Sequence, residues 1–374
     1  MVALGSNISR SIVENSTSTN GSTNTPLCLI DDPIVTRVLR VMAYVVIILV
    51  SLLGNSMTVI IVAKGPKRRS CVHLFLANMA VADLTITIFY MPRMVVRIFY
   101  GSRWLLDGVL GLVSCRLVVF LHHTAILVSV FSVFLITVDR FCAIIFPLKR
   151  IMSKRVAKMS ILSSWILAAA LRSPFLMSPK VVPSSKYKLV CSARFVQFFG
   201  DFVSLYRHAL AGVYWFCLAS TICLYIVIIS RLCLKKAPGN ATEATSARQR
   251  AGRKLLKMLV SITAAYVACW FLYFMAIPIH GSTNLPCDLD FFRYLMAHSN
   301  SAINPCLLAL FDETYRNGYK TLLKRLCCLP NGNLAADSSN TSVSEMRRNL
   351  QKTNSNNDNN SVDNVCLRID NSKL

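Results

Sequence analysis

Acidic residues are scarce in this chain of 374 residues. Asp and Glu together number 17 against 41 Lys and Arg, which gives a formal net charge of +24. Charged residues of either sign make up only 16% of the sequence, whereas 54% is hydrophobic and the mean hydropathy is +0.50. So few charges and so much apolar surface exclude an ordinary soluble domain.

Catalytic and metal-binding patterns are also missing. The sequence shows no set of nucleophile, base and orienting group and no metal-ligand spacing, so we expect neither an enzyme nor a resident cofactor. It shows no pair of broken, related segments, which disfavours a transporter. The excess of Lys and Arg sits mainly in short loops beside apolar stretches, where contact with anionic lipid explains it better than nucleic acid binding does.

Seven long apolar stretches dominate what is present. A transmembrane helix needs about 20 residues, whereas strands of a membrane barrel are about half as long and alternate strictly, which these stretches do not. We therefore predict an all-α membrane protein, with a seven-transmembrane helix bundle over residues 38–311. The stretches lie near residues 38–63, 72–97, 112–145, 156–177, 205–234, 253–279 and 290–311.

Basic residues set the predicted orientation. Lys64, Lys67, Arg68 and Arg69 follow the first stretch, and cytosolic loops are the ones that carry excess Lys and Arg. Residues 1–27 lack a basic region leading into an apolar core, so no cleavable signal peptide is evident. We expect a plasma-membrane protein with its N-terminus outside. Its extracellular tail, residues 1–37, has glycosylation sequons at Asn7, Asn15 and Asn20.

A short amphipathic segment, residues 312–328, follows the last apolar stretch. Its aromatic and leucine side chains share one face and its basic side chains surround the other, which predicts an eighth helix along the inner leaflet. Cys327 and Cys328 at its end are candidate palmitoylation sites.

The C-terminal tail, residues 329–374, is rich in Asn and Ser, and we expect it to be disordered in the cytosol. Its last residues, Ser372-Lys373-Leu374, match a peroxisomal address, which we discount for a multi-pass membrane protein. A free Ser-x-Leu terminus also fits a PDZ domain. Both three-residue matches, to the peroxisomal signal and to the PDZ ligand, could also arise by chance.

The 14 cysteines divide by compartment. Four are predicted outside, where disulfides persist: Cys28, Cys115, Cys191 and Cys287. Four cysteines allow three pairings, so the sequence alone does not fix the connectivity. A bridge from Cys115 to Cys191 would pin the loop before the fifth helix over the bundle, and Cys28 with Cys287 would join two neighbouring helices.

That loop, residues 178–204, is basic although it is predicted to be external. It holds Lys180, Lys186, Lys188 and Arg194. Two interpretations stay open: a solvated basic loop, or a surface that attracts a ligand with acidic groups.

Short motifs occur in order along the seven stretches: Gly54-Asn55, Ala82-Asp83, Cys115 with Asp139-Arg140-Phe141, Trp165, Tyr225, Cys269-Trp270 and Asn304-Pro305. With these motifs the chain resembles the rhodopsin-like G-protein-coupled receptors over about residues 38–328, and within them it looks most like the peptide receptors.

The resemblance implies ligand capture outside and activation of a heterotrimeric G protein inside, with arrestin as a further partner. Asp139 would hold Arg140 at rest and free it for the G protein, with Tyr225 as the third switch residue. A polar core matches the family's sodium pocket, and the alternative is a hydrogen-bonded carboxyl without sodium. Its residues are Asp83, Ser129, Asn300 and Asn304.

Absent residues narrow the ligand class. His122 occupies the position where amine receptors carry an aspartate, and His298 the position where opsins carry a lysine. Both classes are therefore disfavoured, and an extracellular peptide is the expected ligand. Adjacent helical positions diverge by about 100°, so His122 and His123 should face different directions. A metal would need a third ligand that the sequence does not show. The candidate pocket residues are His122, His123, Trp270, Tyr294 and His298.

Departures from the family pattern leave a second function open. Cys217 and Leu272 replace the usual prolines of helices five and six, and Leu308 replaces a tyrosine hydroxyl in helix seven. Trp104 lies eleven residues before Cys115, which predicts a longer first outer loop. The alternative function is a seven-helix ligand-binding sink or scaffold that does not signal through G proteins.

Overall fold

The computed structural model describes residues 29–64, 70–146, 151–184, 188–193, 195, 200–234, 243–280 and 286–327. Described residues up to Leu323 belong to one compact unit, and residues 324–327 belong to a second. The predicted glycosylation sites Asn7, Asn15 and Asn20 lie outside the described residues, as do Cys28 and Cys328. Cys327 is the last residue of the last helix.

Helices account for most of the described chain. In order they are α1 (Ile34–Lys64), α2 (Cys71–Phe89), α3 (Met91–Tyr100), α4 (Gly108–Ile145), α5 (Lys154–Arg172), α6 (Pro174–Met177), α7 (Phe202–Leu234), α8 (Glu243–His280), α9 (Cys287–Phe311) and α10 (Glu313–Cys327).

Two predicted spans are each divided by a proline. The second span breaks at Tyr90, and Pro92 stands in the first turn of α3. The fourth breaks at Ser173, and Pro174 begins α6. Proline has no N–H to donate and is accepted in a first turn, where that donor has no helical partner anyway.

Five helical segments in the described chain are long and apolar enough to cross a membrane: Ile34–Lys64, Cys71–Tyr100, Gly108–Ile145, Phe202–Arg231 and Gly252–Met275. The predicted fourth and seventh spans are not among them. Helix α5 is short, with 19 residues, and begins with Lys154 and Arg155. Helix α9 carries Asp288, Asp290 and Arg293 in its first two turns. Composition alone therefore does not select these two helices as spans.

The packing leaves a large apolar surface outside the bundle. Helix α2 packs on α1 and α4, α4 on α5 and α7, and α9 on α1 and α8. Large apolar side chains on the outer faces are more than half exposed, including Leu39, Leu110, Phe216 and Phe271. On helices of membrane-spanning length, apolar side chains can face lipid without an energetic cost.

A β-hairpin interrupts the all-α prediction. Strand β1 (Pro179–Ser184) pairs antiparallel with β2 (Lys188–Ala193), and Val181 lies opposite Cys191. Cys191 forms a disulfide with Cys115 on α4, as predicted. An isolated bridge joins Val190 to Arg103, and the Trp104 N–H donates to the Leu189 carbonyl over 2.8 Å. Strand β2 is therefore fixed to two other parts of the chain.

The predicted longer outer loop before Cys115 is wrong. Helix α4 already begins at Gly108, and the Asp107 side chain accepts from the Gly108 N–H. A side chain that accepts from a free N–H of the first turn favours a helix start at that point. The extra residues between Trp104 and Cys115 therefore lengthen the helix.

Candidate functional site

Two histidines form the centre of a buried cluster two turns along α4 from Cys115. His122 Nε2 lies 3.2 Å from His298 Nε2 on α9, and His298 Nδ1 lies 3.2 Å from the Tyr44 hydroxyl on α1. The ring of Tyr90 stacks on His122 with 3.6 Å between centroids. In a bond between two imidazole nitrogens, one donates and the other must be unprotonated. The cluster thus joins three helices through neutral acceptors.

His123 faces another neighbour, as adjacent positions on a helix require. Its ring stacks on Phe175 of α6 with centroids 4.1 Å apart. Phe175 in turn lies edge-on to Phe195. His122 and His123 are therefore placed on different sides of α4, one towards α9 and the other towards α6.

An aromatic series connects the histidines to Trp270 on α8. Tyr294 lies 5.9 Å from His298 and 5.4 Å from Tyr273, which lies 5.3 Å from Trp270, all between ring centroids. Trp270 is only 1% exposed, and its Nε1 has no hydrogen-bond partner among the described residues. All five predicted pocket residues thus belong to one connected group of ring contacts. His123 is connected to it through its contact with His122.

An ion cluster that sequence reasoning missed lies beside this group. Asp290 accepts from Arg97 Nη2 on α3 over 2.5 Å and from Arg293 Nε over 2.8 Å. The guanidinium of Arg293 also lies over the Tyr294 ring, 4.5 Å from its centroid. One carboxylate serves two guanidinium groups, so the cluster keeps a net positive charge.

Asp83 is the centre of a second polar site, deeper in the bundle. It is 1% exposed and accepts from Ser301 Oγ over 3.0 Å and from Asn304 Nδ2 over 2.9 Å. Sequence reasoning missed Ser301. It lies three residues before Asn304 and hence on the same helix face, so this spacing could have revealed it.

The polar core has spare acceptors that suit a hard cation. Ser129 Oγ, Asn300 Oδ1 and Asn304 Oδ1 are buried and have no hydrogen-bond partner in the described part of the chain. A carboxylate with neutral oxygens is the ligand type that hard cations prefer, and Asp83 with the bonded Ser301 and Asn304 is a group of this chemistry. Across the same described residues, no group of three or more His, Cys, Asp or Glu could hold a metal.

The predicted switch lies at the far end of α4. Arg140 Nε donates to Asp139 Oδ2 over 3.0 Å, and the Asp139 residue is 4% exposed. Tyr225 on α7 accepts from Thr263 Oγ1 on α8 over 3.4 Å. The arrangement therefore holds Arg140 against its own helix while a separate hydroxyl pair links α7 to α8.

Two of the departures from the family pattern lie inside the packed core, and the third, Leu272, is half-buried. Cys217 is 5% exposed and Leu308 is 2% exposed. Helix α7 runs unbroken through Cys217, and α8 runs unbroken through Leu272. A helix without an internal proline keeps its backbone hydrogen bonds through that turn, which agrees with the continuity seen here.

A second disulfide involves Cys287, the first residue of α9, which is disulfide-bonded in the structure. Its predicted partner, Cys28, lies outside the described residues, so this pairing stays a prediction.

The sequence of the chain matches the 7 transmembrane receptor (rhodopsin family) over residues 54–308. This match covers well over half of the chain, so the protein belongs to the rhodopsin family of seven-transmembrane receptors, whose members are receptors and not enzymes. With its long apolar helices, it is a multi-pass membrane protein.

Among individual proteins, the chain is similar to receptors for peptides. It is 26% identical to the RYamide receptor of Drosophila melanogaster over 310 residues, which is 78% of this chain and 66% of that receptor. It is 26% identical to the RYamide receptor of Tribolium castaneum, over 76% of this chain and 80% of that one. It is 28% identical to the QRFP-like peptide receptor of Branchiostoma floridae, over 75% and 76% of the two chains.

Proposed function

We propose that this chain is a peptide-activated receptor of the plasma membrane that signals through heterotrimeric G proteins. One observation carries the proposal: the opposite ends of α4 differ in chemistry. Cys115, the eighth residue of α4, forms a disulfide, which persists in an oxidising compartment, and Asp139 with Arg140 lies near the other end of the helix. These sites are about 36 Å apart at 1.5 Å per residue, more than the roughly 30 Å hydrocarbon core.

The names of the relatives support the ligand class. The RYamide receptors and the QRFP-like peptide receptor are receptors for peptides by name. Since all three are receptors, they give no support to the alternative of a non-signalling sink or scaffold.

The proposed architecture is seven membrane spans with the N-terminal tail outside and α10 along the inner leaflet. Residues 1–37, 38–311, 312–328 and 329–374 are the proposed tail, bundle, surface helix and cytosolic tail. Support for the surface helix comes from α10 itself, in which Tyr315 and Tyr319 are buried while Lys320 is exposed.

Site residues follow from the same proposal. The peptide contacts the aromatic group that contains His122, Tyr294, His298 and Trp270, with His123 beside it. Sodium binds at Asp83 with Ser129, Asn300 and Asn304, and Ser301 joins them. Asp139, Arg140 and Tyr225 form the G-protein switch.

Modifications and further partners complete the proposal. Asn7, Asn15 and Asn20 are glycosylated, Cys28 pairs with Cys287, and Cys327 with Cys328 carries palmitate. Arrestin and a PDZ protein are the proposed cytosolic partners.

A peptide screen with a second-messenger readout tests the function. Cells expressing the receptor with an N-terminal epitope tag should respond to at least one peptide, and the tag should be visible without permeabilisation. Silence across the library despite a visible tag would overturn peptide activation, and a tag hidden until permeabilisation would overturn the topology.

Two variants of the switch residues then distinguish a signalling receptor from a ligand-binding sink that does not signal. Arg140→Ala should abolish signalling but keep peptide binding, because Arg140 lies at the inner end of α4. Asp139→Asn should raise basal signalling, because the guanidinium loses its charged acceptor. A sink would show no change in signal or binding in either variant.

A further inference from the structure

Arg172 ends α5 and its charge lies within the outer part of the bundle. It is seven residues beyond Trp165, about 10 Å along the helix axis, on the side of the Cys115–Cys191 disulfide. Its side chain is hydrogen-bonded to the Tyr206 hydroxyl on α7 and interacts electrostatically with Tyr273 on α8, and its guanidinium carbon lies 6.0 Å from the centroid of Phe175. Arg172 therefore faces the space between several helices.

No carboxylate of the described chain forms an ion pair with Arg172. The ion pairs among the described residues involve other basic groups. Arg172 Nε is buried and has no hydrogen-bond partner among the same residues. The titratable groups around it are imidazoles and phenols, which carry no negative charge at neutral pH: His122, His123, Tyr206, Tyr266 and Tyr273.

A partly buried guanidinium without a counter-charge would be stabilised by an anionic partner. Removing a guanidinium from water without a counter-charge costs free energy, and an ionisable residue within a membrane bundle usually marks a binding or transport function. Since the described side chains around Arg172 supply only neutral groups, an anionic group of a molecule that enters the bundle from outside would fit this position.

The charge balance of the outer bundle agrees with this. Arg97 and Arg293 share the single carboxylate of Asp290. Arg93 lies over the Trp104 ring, 4.5 Å from its centroid, and donates to a backbone carbonyl; like Arg172, it forms no ion pair among the described residues. Arg40 is the opposite case, since it pairs with two carboxylates, Asp32 and Asp288. The excess of positive charge therefore lies around Arg93, Arg97, Arg172 and Arg293.

The hairpin adds further positive charge on the outer side of the bundle. Lys180 on β1 and Lys188 on β2 are both exposed. Exposed charges of one sign near an entrance raise the rate at which an oppositely charged ligand associates. Of the two interpretations of this basic loop, the charge of the bundle beneath it favours attraction of an acidic ligand.

We propose that Arg172 is a ligand-binding residue that pairs with a carboxylate of the activating peptide. The inference rests on the proposed function, peptide activation, and specifies the ligand: a peptide with a free C-terminal carboxylate or an acidic side chain. A guanidinium can hold such a group through two parallel hydrogen bonds, which adds geometric selectivity to the charge attraction.

Peptides made in matched charge states test the inference. The probe is a library of short peptides, each synthesised as the free acid and as the C-terminal amide, with Asp→Asn and Glu→Gln versions of every active sequence. At the natural receptor, removal of one particular carboxylate should lower potency by at least about 30-fold, the effect of losing one partner of a buried charge pair. The version that fails shows whether the carboxylate is terminal or on a side chain.

Arg172→Gln should abolish that discrimination. The variant should respond to the carboxylate and neutral versions with equal potency, while Arg172→Lys, which keeps the charge but not the planar fork, should lie between. The matched control is Arg116→Gln, since Arg116 is also half-buried but donates to the backbone carbonyls of Pro179 and Met177. The control should keep the full preference.

The possible results are distinguishable. If no peptide in any form activates the natural receptor, the proposed function fails and the inference fails with it. If peptides activate it but neutral versions are as potent as acidic ones, or if Arg172→Gln weakens both versions equally, only the inference is overturned.

A measurement without ligand separates binding from a structural role. If the charge of Arg172 has no counter-ion until the ligand binds, Arg172→Gln removes an uncompensated charge from the ligand-free receptor. The melting temperature of the purified full-length receptor should then stay the same or rise. A clear fall in melting temperature would show that Arg172 holds the helices together instead, and would overturn the inference.

Discussion

His122 on α4 and His298 on α9 share a hydrogen bond of 3.2 Å between their Nε2 atoms, at positions that are each 1% exposed. His298 also bonds to Tyr44 through its other ring nitrogen. A single imidazole thus connects α1, α4 and α9, which are distant in sequence.

His298→Phe should destabilise the receptor. The ring volume is nearly kept, but the Tyr44 hydroxyl and His122 Nε2 lose their partners, and a buried polar group without a partner costs about 1–3 kcal/mol. We expect a loss of about 2–4 kcal/mol, seen as a lower melting temperature of the detergent-solubilised protein. The control is His123→Phe, which keeps the ring contact with Phe175; an equal loss there would contradict the role assigned to His298.

Asp83→Asn should abolish a specific response to sodium. If the carboxylate and the spare oxygens of Ser129, Asn300 and Asn304 bind the ion, sodium stabilises the natural receptor in a concentration-dependent way. Melting temperatures in sodium chloride and in choline chloride should then differ for the natural protein and agree for Asp83→Asn. Equal temperatures in the natural protein would favour a hydrogen-bonded carboxyl without sodium.

Gly54→Ala should disrupt the contact between α1 and α9. A Cβ at this position would lie 2.5 Å from Pro305 Cβ and 2.6 Å from Pro305 Cγ, and a proline ring cannot rotate away. Overpacking of this kind costs about 1–3 kcal/mol, measurable by thermal unfolding and by surface expression.

The control for this substitution is another glycine within a helix. Gly212 on α7 has nothing within 4 Å of an added Cβ, so Gly212→Ala should be neutral or stabilising by up to about 1 kcal/mol. Similar losses in both variants would indicate a general effect of the methyl group and refute the close contact.

Lys254 on α8 and Glu313 on α10 form an exposed ion pair with 2.8 Å between Nζ and Oε1. The Lys254 ammonium lowers the pKa of Glu313 below its ordinary value. The folded-state pKa is therefore the lower one, so the contribution of the pair is present at neutral pH and is lost as the pH falls through that lowered value. If activation moves the inner end of α8 away from α10, the pair favours the resting state.

Charge reversal tests this pair. Lys254→Glu should raise basal signalling slightly, because exposed ion pairs contribute little and a repulsive one costs little. Adding Glu313→Lys restores opposite charges and should return the basal level to that of the natural receptor. A double variant with the same basal signal as Lys254→Glu alone would show that the pair has no role in the resting state.

The sequence predicted the positions of those helices that coincide with a long apolar stretch. The predicted third span ended at residue 145, and α4 ends at Ile145, because Pro147 follows Phe146 and the residue before a proline is disfavoured in a helix. Its predicted start, residue 112, lies four residues inside the helix, because α4 begins at Gly108, where the Asp107 side chain accepts from the Gly108 N–H. The hairpin was not anticipated, because pairing of Val181 with Cys191 depends on the fold around the disulfide as well as on local sequence.

The candidate site was predictable only in part, for a physical reason. Single positions such as Asp83 and His298 could be assigned from their place in a helix. Their partners could not, because the sequence does not show which distant side chains approach: Arg97 and Asp290 are 193 positions apart. Tyr44 is an intermediate case, since it lies three helical turns before Asn55 and so on the same face of α1.

The β-hairpin between α6 and α7 is an ordered part of the proposed extracellular side. Strand β2 is held covalently at Cys191 and by backbone contacts at Leu189 and Val190, so it cannot swing open like a hinged flap. A cover that is already ordered loses little conformational entropy when a peptide arrives, which favours tight binding.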